Sequence, residues 1–82
     1  MLGNVYASQS LWRQAQGAYY EAYRLDAGNP DIVHNLAVSL DRLGQPRLAA
    51  TLYRRALEAT RTQATQFEAA AVQKRLAEIE GR

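Results

Sequence analysis

The amino-acid sequence predicts an all-α fold in which about two helix-turn-helix repeats are followed by a C-terminal capping helix. Two observations carry this expectation. The chain matches itself under one constant shift, which carries Leu2 onto Leu36, Gly3 onto Ala37, Tyr6 onto Leu40, Ala15 onto Ala49, Tyr19 onto Tyr53 and Ala22 onto Ala56. Within each unit, apolar residues recur at steps of three and four, as in Leu36, Leu40 and Leu43, or Ala49, Leu52, Tyr53, Ala56 and Leu57. That spacing lines one face of an amphipathic helix. Period-two alternation never persists, so strands have no comparable support. At 82 residues the chain is read as a single domain over 1–82, with repeat one over 1–29, repeat two over 30–63 and the capping helix over 64–80.

Helices are expected at 2–9, 12–27, 30–43, 46–60 and 64–80. In the first two, Gly3 and Ala15 are small where helices must approach, and Tyr19 and Tyr23 are expected inward with Tyr20 outward. Trp12 follows the first turn, where its ring would plug the space between helix ends or, if exposed, anchor a partner. The third helix is expected to start at Pro30, because Asn29-Pro30-Asp31 supplies an N-cap, a first-turn proline and an acidic residue at the positive end of the dipole. Gly44 suits the left-handed conformation that ends this helix, and Pro46 opens the next. Applying the shift again carries Leu36, Ala37 and Leu40 onto Ala70, Ala71 and Lys74. Thr65-Gln66-Phe67-Glu68 reads as a capping box for this last helix, with Thr62 as a competing start. Its outer positions, Gln73, Lys74, Glu78 and Glu80, keep one side in water while the other covers the preceding hairpin.

Composition narrows the function classes. Ten Lys and Arg against eight Asp and Glu leave a net charge of +2, and the basic residues are scattered without interleaved aromatics, so nucleic acid is not an expected partner. Cysteine is absent, which removes disulfides, thiol nucleophiles and thiolate metal sites. No apolar run approaches the roughly 18 residues of a membrane span. His34 is the only histidine, with only Asp31 and Asp41 nearby, and is expected to be an ordinary groove or surface residue. No strained nucleophile or phosphate-cradling loop accompanies these groups. No catalytic residue, cofactor or metal is therefore expected, and the chain reads as a non-enzyme. Nothing in the sequence selects a compartment.

With Asn35-Leu36-Ala37, Leu40, Gly44, Ala49, Tyr53 and Ala56 in order in the second unit, and Leu2-Gly3, Tyr6, Ala15, Tyr19, Ala22 and Leu25-Asp26 in the first, nearly the whole chain resembles the tetratricopeptide repeat (TPR) family. It departs from the pattern at Ala27 and Arg61, where the family usually has proline, and in a first helix entered several residues late. The resemblance implies a TPR-like α-solenoid, part of a larger bacterial protein, that acts as a protein-protein interaction scaffold. A peptide or helix of the partner would lie on the concave face, lined by the first helix of each repeat. Carried over position by position, that face comprises Asn4 and Ser8, then Asp31, His34, Asn35, Val38, Asp41 and Arg42, then Thr65, Glu68, Ala69 and Val72. Asn4 and Asn35 either hold the main chain of an extended peptide or are simply solvated. Both also match members of the clamp with which some TPR domains hold a C-terminal carboxylate. Thr65 and Ala69 stand where that clamp has basic residues, so this activity is not expected. The alternative is self-assembly, as a homodimer or larger homo-oligomer, because about three stacked repeats are normally needed to cover the apolar edges.

Overall fold

Local capping chemistry sets several of the helix boundaries. The Asn29 side chain accepts hydrogen bonds from the backbone N–H groups of Asp31 and Ile32, at 3.0 and 3.4 Å, and Pro30 fills the first helical position. At the other end of the same helix, Gly44 adopts φ +79°, Gln45 N–H donates to the Leu40 carbonyl at 2.9 Å and Gly44 N–H to that of Asp41 at 3.1 Å. These two bonds satisfy carbonyls that the helix end would otherwise leave open. The first turn uses the same device at the equivalent positions of the preceding unit. There Ser10 takes φ 59°, Leu11 N–H donates to Tyr6 and Ser10 N–H to Ala7, both at 2.9 Å. Serine thus occupies a left-handed position that favours glycine.

The computed structural model describes residues 2–81, and among them the chain is all-helical. Its five helices are α1 Leu2–Ser8, α2 Trp12–Leu25, α3 Pro30–Arg42, α4 Pro46–Ala59 and α5 Ala69–Glu80. Each helix packs mainly on the next along the chain, most extensively α3 on α4 and then α2 on α3. The core joins Ala15 and Tyr19 of α2, Leu36, Ala37 and Leu40 of α3, Ala49 and Tyr53 of α4, and Val72 of α5. Ala15, Ala37, Ala49 and Ala56 are fully buried, which lets the helix backbones approach closely. Gly3 serves α1 in the same way, since a Cβ there would stand 2.7 Å from two ring carbons of Tyr19. Tyr19 is buried, Tyr23 is half-buried against the core and Tyr20 is exposed, as their helical phases require.

Four helices begin where expected and end within two residues of expectation, but the fifth does not begin there. Residues 64–68, expected as its first turn, are non-helical, and α5 begins at Ala69. Gln63 and Ala64 occupy the places that Asn29 and Pro30 hold one unit earlier, so the cap and the preset proline are both missing. The Thr65–Glu68 capping box does not form. Thr65 Oγ1 donates to the Phe67 carbonyl at 3.2 Å, and Glu68, at the N-cap, makes no side-chain capping bond.

Candidate functional site

One face of α3 carries Asp31, His34, Asn35, Val38, Asp41 and Arg42, because these positions advance by the three, four and one residue steps that keep a helical stripe together. The non-helical segment before α5 lies against the N-terminal half of this stripe. Gln66 donates its backbone N–H to Asp31 Oδ1 at 2.8 Å, and the Phe67 ring stacks on His34 with centroids 4.5 Å apart and planes 12° from parallel. His34 also meets the Tyr53 ring at 6.1 Å, and its Nδ1 lies 3.4 Å from Asn35 Oδ1. Burial among these rings pushes the His34 pKa below its ordinary value, against the opposing pull of Asn35 and the Asp31 charge.

The C-terminal half of the stripe opens onto a cavity of about 560 Å³ lined by Val38, Asp41, Arg42, Tyr53 and Arg75. Arg75, from α5, donates through Nε to Asp41 Oδ2 and through Nη2 to Asp41 Oδ1, both at 2.6 Å. This side-on, two-point geometry is the strong form of an arginine–carboxylate pair. The Tyr53 hydroxyl adds a third bond to Asp41, at 3.1 Å. The Arg75 bonds hold the Asp41 carboxyl below its usual pKa despite burial, whereas burial and the Asp41 charge push the Tyr53 phenol up and keep it neutral. Arg42 lies at the rim, with its guanidinium 5.4 Å from the centroid of the Trp12 ring. Trp12 is half-buried and packs on the core, so it is both a plug and a platform.

The remaining expected residues are distributed differently. Val72 is only 3% exposed and belongs to the core, so it offers no contact surface. This corrects its assignment to the binding face: with α5 starting late, Val72 seals the helix against its neighbours. Glu68 is exposed at the start of α5, and Ala69 is half-buried there. The Asn4 side chain accepts the Tyr19 hydroxyl, and Ser8 Oγ donates to the Val5 carbonyl at 2.8 Å, so both are engaged within the first hairpin. Among the described residues, no group of three His, Asp or Glu side chains is placed to hold a metal ion, and no helix is long and apolar enough to cross a membrane.

Compared with protein-family models, curated proteins and solved structures, the chain matches none of them. The reading of the site therefore rests on its own geometry. Sequence reasoning did not single out Arg75 or Phe67 and placed Tyr53 only on the apolar stripe of its helix. A signal for Arg75 was present, since the shift that relates the units carries Asp41 onto Arg75 and so places opposite charges at equivalent positions. Phe67 carried no such signal, because its contact with His34 exists only where the helix fails to form.

Proposed function

We propose that this chain is a TPR-type protein-interaction module that holds a peptide of a partner protein along the α3 face, and that its chemistry is contact, not catalysis. One observation supports this most directly: the chain's own non-helical segment lies on that face through a backbone N–H to Asp31 and an aromatic ring on His34. A surface that accepts main chain and a ring from within the molecule has the donor, acceptor and stacking groups that a bound peptide needs. The cavity beyond it, between Val38, Arg42 and Arg75, leaves room for such a peptide to continue. Asn35, half-buried at the middle of the stripe, offers both a donor and an acceptor to the peptide main chain.

An amide NMR titration with capped peptides containing one aromatic residue tests this reading. Saturable shifts at Asn35, Val38 and Arg42 are expected, and shifts absent from all three would sink it.

A second reading, self-assembly, is favoured by the apolar surface of α1, where Leu2 is 58% and Val5 52% exposed one helical turn apart. Light scattering at two concentrations separates the readings. A mass that stays monomeric at the higher concentration rejects assembly.

A further inference from the structure

Resting on the groove reading above, we propose that the cavity at the C-terminal end of α3 recognises an acidic side chain of the bound peptide, a glutamate whose carboxylate pairs with Arg42. The charges around the cavity single out that guanidinium. Both oxygens of Asp41 are taken by Arg75, and one of them also accepts the Tyr53 hydroxyl. Arg75 is therefore compensated, and Glu78 adds a further carboxylate oxygen 3.7 Å from its Nη1. Arg42 lines the same cavity and forms no ion pair among the described residues, where the ion pairs engage Arg24, Arg54, Arg61 and Arg75.

A cation–π contact with Trp12 holds Arg42 in place, its guanidinium carbon 5.4 Å from the ring centroid. The contact restricts the rotamers that an exposed arginine otherwise samples and leaves guanidinium N–H donors free for a ligand. A carboxylate reaching it meets a pre-positioned fork and forfeits less side-chain entropy on binding. The shape favours a carboxylate carried on a stem. Val38 lies one helical turn before Arg42, half-buried and apolar, and lines the same cavity. The methylenes of a glutamate rest on Val38 while its head reaches Arg42. A terminal carboxylate has no such stem. Asp41, the one acidic residue lining the cavity, does not repel the ligand strongly, since Arg75 neutralises it at contact distance.

Trp12 is the only tryptophan, so its fluorescence reports directly on the cation above it. Three probes are titrated into the intact chain: a capped peptide with one glutamate, its glutamine counterpart, and the glutamine peptide with a free C-terminal carboxylate. Trp12 emission and the Val38 and Arg42 amides are followed together. The glutamate peptide is expected to bind about tenfold more tightly than the capped glutamine peptide, the scale of one charge-assisted pair. That preference is expected to vanish in Arg42→Gln, an exposed site whose change leaves the core intact, and to shrink as salt screens the pair. Equal affinity for both capped peptides, with groove amides still shifting, overturns the glutamate site and leaves the groove standing. Tight binding of the free-carboxylate peptide alone overturns the side-chain assignment. If no peptide shifts the groove amides, both the glutamate site and the groove fall.

Discussion

The connection from α3 to α4 and the connection from α4 to α5 each join neighbouring helices of the same core, yet one is a tight turn and the other a long detour. Leu43 to Gln45 turn the chain within a single short link, closed by the left-handed Gly44 and restarted by Pro46. Thr60 to Glu68 wander much further and end on a helix start with no side-chain cap. An inward stripe nevertheless forms after the detour, shifted from the repeat phase: Val72 is buried and Leu76 and Ile79 pack against the core, while Ala70, Ala71 and Lys74, the equivalents of Leu36, Ala37 and Leu40, are exposed. Packing and helix initiation are thus separable here. Apolar spacing decides which residues of α5 face inward, and capping residues decide where the helix begins. The late start also gives the α3 face its neighbour, because it leaves Gln66 and Phe67 free to meet Asp31 and His34.

If the two sides differ in packing as the geometry indicates, core truncations should cost unequally. Leu36→Ala, at a site 3% exposed beneath the α3–α4 hairpin, is expected to lose about 3 kcal/mol in urea unfolding. Ile79→Ala, half-buried on α5, is expected to lose about 1 kcal/mol. Equal losses would break the comparison.

The Asp41–Arg75 pair ties the two sides together across the cavity. Asp41→Asn is expected to destabilise by about 1 to 2 kcal/mol, toward the low end of what a hydrogen bond to a charged group contributes, because Arg75 is one-third exposed and screened by water. The folded pKa of Asp41 lies below its unfolded value, so this contribution is present above roughly pH 4 and is lost as pH falls through the folded value. Urea midpoints of wild type and variant should therefore converge on acidification. A gap that persists at the lowest pH at which both remain folded would assign the loss to packing.

Restoring the missing signal tests initiation directly. Gln63→Asn with Ala64→Pro copies Asn29-Pro30 onto the equivalent positions and is expected to extend α5 back toward residue 64, stabilising it by about 1 kcal/mol. Circular dichroism should gain helix, and the stacking shift of His34 by Phe67 should disappear from the NMR spectrum. No gain in helix would show that the detour is held by its contacts with α3 and not by the lack of a cap.

The smallest effect compares the two left-handed turns. Ser10→Gly brings the first turn to the residue found at Gly44 and is expected to stabilise by about 0.5 kcal/mol, the relief of left-handed strain less the added freedom of the unfolded chain. A rise in thermal midpoint checks it, and a fall would mean that Ser10 is unstrained.

Much of this is legible from residues alone. Asn29, Pro30, Gly44 and Pro46 act within a few residues of themselves, so their consequences can be read locally, and the self-match of the two units picks out Ala37 and Ala49, both of which are buried. Val72 reads as groove surface only if the repeat phase is extended into α5 as though its helix began on schedule. Asn4 reads as a groove residue from its position, whereas its side chain receives the Tyr19 hydroxyl from the neighbouring helix.

By itself, then, the sequence determined the first four helices, the turns that α3 and α4 share and the inward stripe of those helices, because each follows from side-chain volume, hydrogen-bonding groups and spacing along a short stretch of chain. Only the tertiary structure decided that Asp41 is neutralised by Arg75, that Arg42 rests on Trp12 and that Phe67 covers His34. Those pairings join residues far apart in the chain, and what brings them together is the packing of α2, α3, α4 and α5 against one another, which no local pattern encodes.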